Sequence, residues 1–148
     1  MFWNILIFFF FLFTPKVLAN DVSVSIISGA TTGTLNTQFD VQAKVTASVA
    51  GTYYVSAGND GCTIDMLYNN SWSNGCYAGI NAMQPFIINN NGDSDTEILR
   101  LRATNSTNTY NLHTYVYDIG RTLLSTSAST YSVTINNSPT STPTPTQL

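Results

Sequence analysis

Residues 39–49 alternate apolar and polar side chains without interruption. Phe39, Val41, Ala43, Val45, Ala47 and Val49 fall on one side; Asp40, Gln42, Lys44, Thr46 and Ser48 fall on the other. A side-chain period of two belongs to a strand with one buried and one wet face. A helix would need its apolar residues three and four apart, so it cannot gather this set. A half-buried strand must be covered by a second layer, and a packed β domain is therefore expected.

The rest of the chain repeats the theme. Val22, Val24 and Ile26 alternate with Ser23 and Ser25, and the Gly/Thr-rich stretch 28–36 reads as a connection. After Ala50-Gly51, residues 52–57 form an aromatic and β-branched strand, expected as a hairpin or Greek-key neighbour of 39–49. Residues 64–68 and 85–88 read as short strands, with Pro85 at a strand start where a missing N–H is tolerated. Asn89-Asn90-Asn91-Gly92-Asp93 is a turn signal, expected to close a hairpin. Strands follow over 96–103, with Leu99 and Leu101 inward and Arg100 and Arg102 outward, over 110–117, and over 129–136. About seven strands at this spacing, with no helical stretch, predict an all-β, antiparallel sandwich.

The expected compartment rests on the N-terminus, not on composition alone. Of 148 residues only 9% are charged, against about 25% in an average soluble protein; Ser, Thr and Asn supply the missing polarity. Residues 5–13 are an unbroken apolar run, followed by Pro15 and a Val17-Leu18-Ala19 cleavage pattern. The run is shorter than the roughly 20 residues that span a bilayer, so residues 1–19 read as a secretory signal. An uncleaved anchor extended by a few interfacial residues is the alternative. The formal charge is −3, without a basic cluster, which argues against nucleic acid and against anionic lipid as partners. No membrane insertion is expected after signal cleavage. Residues 20–137 form the expected domain. Residues 138–148, rich in Ser, Thr and Pro, cannot build a core and are expected as an extended tail.

The strand order, the closing Thr130-Tyr131-Ser132-Val133-Thr134-Ile135 and the Thr/Pro stalk after it resemble immunoglobulin-like (fibronectin III-like) modules of bacterial secreted and surface proteins. The resemblance covers about residues 21–136 and rests on pattern; the Cys…Trp…Cys framework of antibody domains is absent. It implies an immunoglobulin-like sandwich serving as spacer, adhesive module or accessory domain.

Candidate sites are few. Cys62 and Cys76 enclose a short loop, and in an exported chain they read as one disulfide. Closing a loop near 15 residues should contribute about 3 kcal/mol. Trp72, with Tyr68 and Tyr77 nearby, makes that loop the candidate binding surface, for a protein or for a glycan whose ring faces stack on aromatic side chains. The competing expectation is that Trp72 plugs the open end of the sandwich. Asn89, Asn91, Asp93 and Asp95 surround a glycine as calcium ligands do, but an EF-hand register would put Ile87 and Ile98 at ligand positions. His113 is the only histidine and alternates with Leu112 in a strand; no nucleophile-elbow sequence accompanies it. The expected function is a secreted or cell-surface structural or interaction (adhesion-type) module, without catalytic activity or cofactor. A carbohydrate-binding module using the aromatic loop is the second expectation.

Overall fold

The computed structural model describes residues 20–76, 79 and 82–138. The expected signal peptide, the tail from 139 onward and Tyr77 lie outside the described residues. Numbered in chain order, eleven strands occur among the described residues, in two sheets. The five-stranded sheet runs β1 (Val22–Gly29), β3 (Phe39–Ala47), β8 (Ser94–Ala103), β5 (Ile64–Tyr68), β6 (Ser71–Asn74). The six-stranded sheet runs β2 (Thr32–Thr34), β11 (Tyr131–Asn136), β9 (Thr109–Tyr117), β4 (Gly51–Asn59), β7 (Gln84–Ile88), with β10 (Leu123–Thr126) also on β9. Every pairing is antiparallel except that of β2 with β11.

The alternation in β3 decides the layering. Its odd-numbered residues, Phe39 to Ala47, are buried, while Asp40 and Lys44 are exposed. Leu99 and Leu101 from β8 and Ile64 and Met66 from β5 extend that inner face. The facing sheet contributes Val55 and Ala57, Phe86 and Ile88, Leu112 and Val116, Val133 and Ile135, all buried. These residues form one core cluster, so two alternating sheets have closed on each other.

Gly29 makes the exit from β1 possible. It has φ +146°, and a Cβ there would lie 2.6 Å from Val41 Cα. The backbone of β1 can thus fold closely over β3 before touching the other sheet at β2.

One expectation is corrected. β4 does not pair with β3; it crosses to the facing sheet and pairs with β7 and β9. The reason lies in the donors around the corner. Ser48 N–H goes to Asp21 O (2.9 Å) and Ala50 N–H to Asn91 Oδ1 (2.8 Å), so neither can start a hairpin ladder. Strand β3 ends at Ala47, two residues before the alternation does, and Val49 O accepts from the Tyr53 hydroxyl at 2.7 Å.

The Asn89–Asp93 turn is corrected likewise. It joins β7 of one sheet to β8 of the other instead of closing a hairpin. Gly92 N–H reaches Ala47 O and Ala47 N–H reaches Asp93 O, which lets the turn cap the end of β3.

The β8-to-β9 crossing, at the other end, repeats the device: the Tyr110 hydroxyl donates to Ser106 O at 2.7 Å. The β3-to-β4 and β8-to-β9 arches are therefore each pinned by a tyrosine reaching back four residues, the corner known from immunoglobulin-type sandwiches. The short strands β2, β6 and β10 were not expected from the sequence; β6 lies inside the loop enclosed by Cys62 and Cys76.

Candidate functional site

The stapled region is a hairpin. Asn69 and Asn70, at φ 49° and 59°, form its two-residue turn, which needs positive φ at both positions. Cys62 and Cys76 are disulfide-bonded with Cα atoms 5.5 Å apart, as expected. Around the bridge, Asn59 Oδ1 accepts from Thr63 N–H, and Asn74 donates to Cys62 O and accepts from Cys76 N–H. A Cβ on Gly75 would overlap the Ala57 carbonyl oxygen, so only glycine lets the hairpin end lie against β4.

The hairpin does not bring the candidate aromatics together. Trp72 pairs with Leu67 on the outer face, whereas Tyr68 alternates to the side of buried Met66. Tyr77 is outside the described residues. Trp72 neither plugs the end of the sandwich nor stands free. The Arg102 guanidinium lies 4.2 Å from its ring centroid, and Arg102 Nη2 and Nε bond Asp65 Oδ2 at 3.1 and 3.2 Å. Trp72, Arg102 and Asp65 make a half-buried stack across β6, β8 and β5.

The Asn/Asp turn uses its oxygens on its own chain. Asp95 accepts from Ile87 N–H through Oδ2 (2.9 Å) and Thr96 N–H through Oδ1 (2.8 Å), Asp93 accepts from Asn90 Nδ2 (2.7 Å), and Asn91 accepts from Ala50 N–H. Among the described residues no three His, Cys, Asp or Glu side chains converge on one cation-sized point. His113 lies on the outer side of β9, with Nε2 3.2 Å from Asp60 Oδ1.

The outer face of the six-stranded sheet holds what sequence reasoning missed. Pro85 pairs with Tyr54, Tyr54 with Tyr117, and Tyr117 with Leu123. Four neighbouring strands, β7, β4, β9 and β10, thus carry one straight apolar row. Tyr115 stands beside it, opposite the fully buried Ser56, whose hydroxyl has no hydrogen-bond partner among the described residues. Burial foremost, then the Asp60 carboxylate and Tyr117, push the Tyr115 hydroxyl above the ordinary tyrosine range. Exposed Ile87, Ile119 and Leu123 belong to or border this face. The readable signal was Tyr115-x-Tyr117, which alternation places on one face; the Tyr54–Tyr117 pairing needs a register that sequence does not display.

Two sheets, antiparallel except for the β2–β11 pair and joined by crossings of which two are tyrosine-pinned, define an immunoglobulin-like β-sandwich. Among solved structures the chain is similar to the CARDB domain of a Pyrococcus furiosus protein, solved in complex with di-metal ions. That match has 13% identity and TM-score 0.50, over 78% of this chain and 93% of that one. It is also similar to the PKD domain of an M14-like peptidase from a Thermoplasmatales archaeon, at 17% identity and TM-score 0.42, over 79% and 98% of the two chains. A β-glucosidase from Listeria innocua matches at 8% identity and TM-score 0.43, with 80% of this chain covering 16% of that enzyme. No protein-family model matches the chain, and neither does any curated protein.

Proposed function

We propose that the chain is an exported, non-catalytic immunoglobulin-like module that works at the cell surface by binding or spacing. The observation that carries this reading is the Cys62–Cys76 bridge, which closes the β4–β5 connection onto the end of β6. Such a bridge persists in oxidising compartments and is rare in the cytosol, and the reading agrees with the signal-like residues 1–19. A non-catalytic role is supported by how the reactive groups are engaged. The thiols are joined, Asp65 is paired with Arg102, and both Asp95 carboxylate oxygens accept backbone N–H groups. Expressing the full chain with a tag and alkylating thiols before cell fractionation tests the reading. The protein should accumulate outside the cytosol with both cysteines protected from alkylation until reduced. Accumulation in the cytosol with both thiols free would overturn it.

A second reading, carbohydrate binding, is favoured by a specific observation other than the stapled loop: the tyrosine row on the six-stranded sheet.

A further inference from the structure

We propose that the row Pro85–Tyr54–Tyr117–Leu123 is a binding track for one extended, uncharged, β-linked polysaccharide chain lying across the strands. The inference deepens the carbohydrate reading and rests on it. Neighbouring strands are spaced about 4.8 Å apart, so the four side chains offer contacts along about 14 Å. The spacing is close to the advance of one pyranose ring along an extended β-linked chain, so successive sugars meet successive side chains. In such polymers the hydroxyls are largely equatorial, which leaves the ring faces as C–H surfaces. Those C–H groups stack on the negative face of a tyrosine ring, while the phenol hydroxyl remains available to the sugar edge.

Charge selects the ligand class. Pro85, Tyr54, Tyr117 and Leu123 bring no acidic or basic side chain to the row; Asp118 directly follows Tyr117, and Asp60 stands at His113 in the middle of β9. Lys44, Arg100 and Arg102 lie on the outer face of the other sheet, and Arg121 stands in the β9–β10 turn past the Leu123 end of the row, beside Asp118. Within the row itself a polyanion meets no cation, and the one arginine past its end shares a turn with Asp118, whereas a neutral chain has no desolvated charge to lose. β4 and β9 hold the two tyrosines in the interior of the sheet, while Pro85 on β7 and Leu123 on β10 end the row at its edge strands.

Affinity electrophoresis of the purified domain tests this, with hydroxyethylcellulose, glucomannan and soluble glycol chitin as neutral probes and alginate as the charged one. At least one neutral β-linked polymer should retard the protein, and alginate should not. Tyr54→Ala and Tyr117→Ala should each weaken retardation about tenfold. Tyr117→Phe, which keeps the ring, should stay within about twofold of the parent. Should the alanine variants fail to fold, Leu123→Glu supplies the decision: that side chain is 51% exposed, and a charge at the end of the row should weaken binding with little effect on melting. Retardation by none of the neutral polymers, stronger retardation by alginate, or undiminished binding by folded Tyr117→Ala and Leu123→Glu would overturn the proposal. None of these outcomes bears on the alkylation result, so the export reading stands or falls separately.

Discussion

Truncating Trp72 to alanine removes a half-buried ring and the seat of the Arg102 guanidinium. The cation–π contact is worth about 0.5–1 kcal/mol where it is partly exposed, and incomplete burial of the ring adds a comparable amount. Urea denaturation should report a loss of about 1–2 kcal/mol. A loss nearer the ~3–5 kcal/mol of an enclosed aromatic would place the ring in the core instead. Tyr115 gives a prediction in pH. Burial and the Asp60 carboxylate favour its neutral form in the folded protein. The folded protein thus holds this proton more tightly than the unfolded chain does. The resulting stability is fully present below the unfolded tyrosine value of about 10 and is lost as pH rises through the higher folded value. The phenolate absorbance difference between the parent and Tyr115→Phe should have its midpoint above the ordinary value, and Asp60→Asn should lower it. A midpoint at or below the ordinary value contradicts the placement of Tyr115.

At the scale of elements, the two pinned arches make the sharpest prediction. Tyr53→Phe and Tyr110→Phe each delete the hydroxyl bond to a carbonyl four residues back, together with a part-exposed side-chain contact to Asn20 and to Ser106 Oγ respectively. Each should cost about 1 kcal/mol. The pins sit in different crossings at opposite ends of the sandwich, so the double variant should lose the sum to within about 0.5 kcal/mol. An unchanged urea midpoint in both single variants would contradict the pins. Eight of the strands were legible because each is long enough, or apolar enough, to show its period. Strands β2, β6 and β10, of three to four residues, are too short to show one. What was not legible is which sheet a strand joins. Ala50-Gly51 and Asn89–Asp93 have the composition of hairpin turns, yet Ala50 N–H, Gly92 N–H and Ala47 N–H bond across the two arches. Turn composition says that the chain reverses; only the destination of those donors says whether it stays in its sheet.

For the molecule as a whole, the two outer faces differ in chemistry. The five-stranded sheet wears Lys44, Arg100 and Arg102 among Asp40 and Asp65, with Trp72 under Arg102. The six-stranded sheet wears the tyrosine row. The sandwich itself was legible from alternation alone, since that pattern demands a covering layer. The candidate site was legible only as single residues. Trp72 and Tyr68 are neighbours in sequence but occupy opposite sides of a hairpin, while Tyr54 and Tyr117 are distant in sequence but adjacent in register. Ring-resolved NMR during titration with hydroxyethylcellulose tests the central claim, that the tyrosine face and not the stapled hairpin meets the ligand. The ring signals of Tyr54 and Tyr117 should shift with polymer concentration while the Trp72 indole N–H stays in place. A shifting Trp72 indole with silent Tyr54 and Tyr117 would contradict the account and return the contact surface to the hairpin.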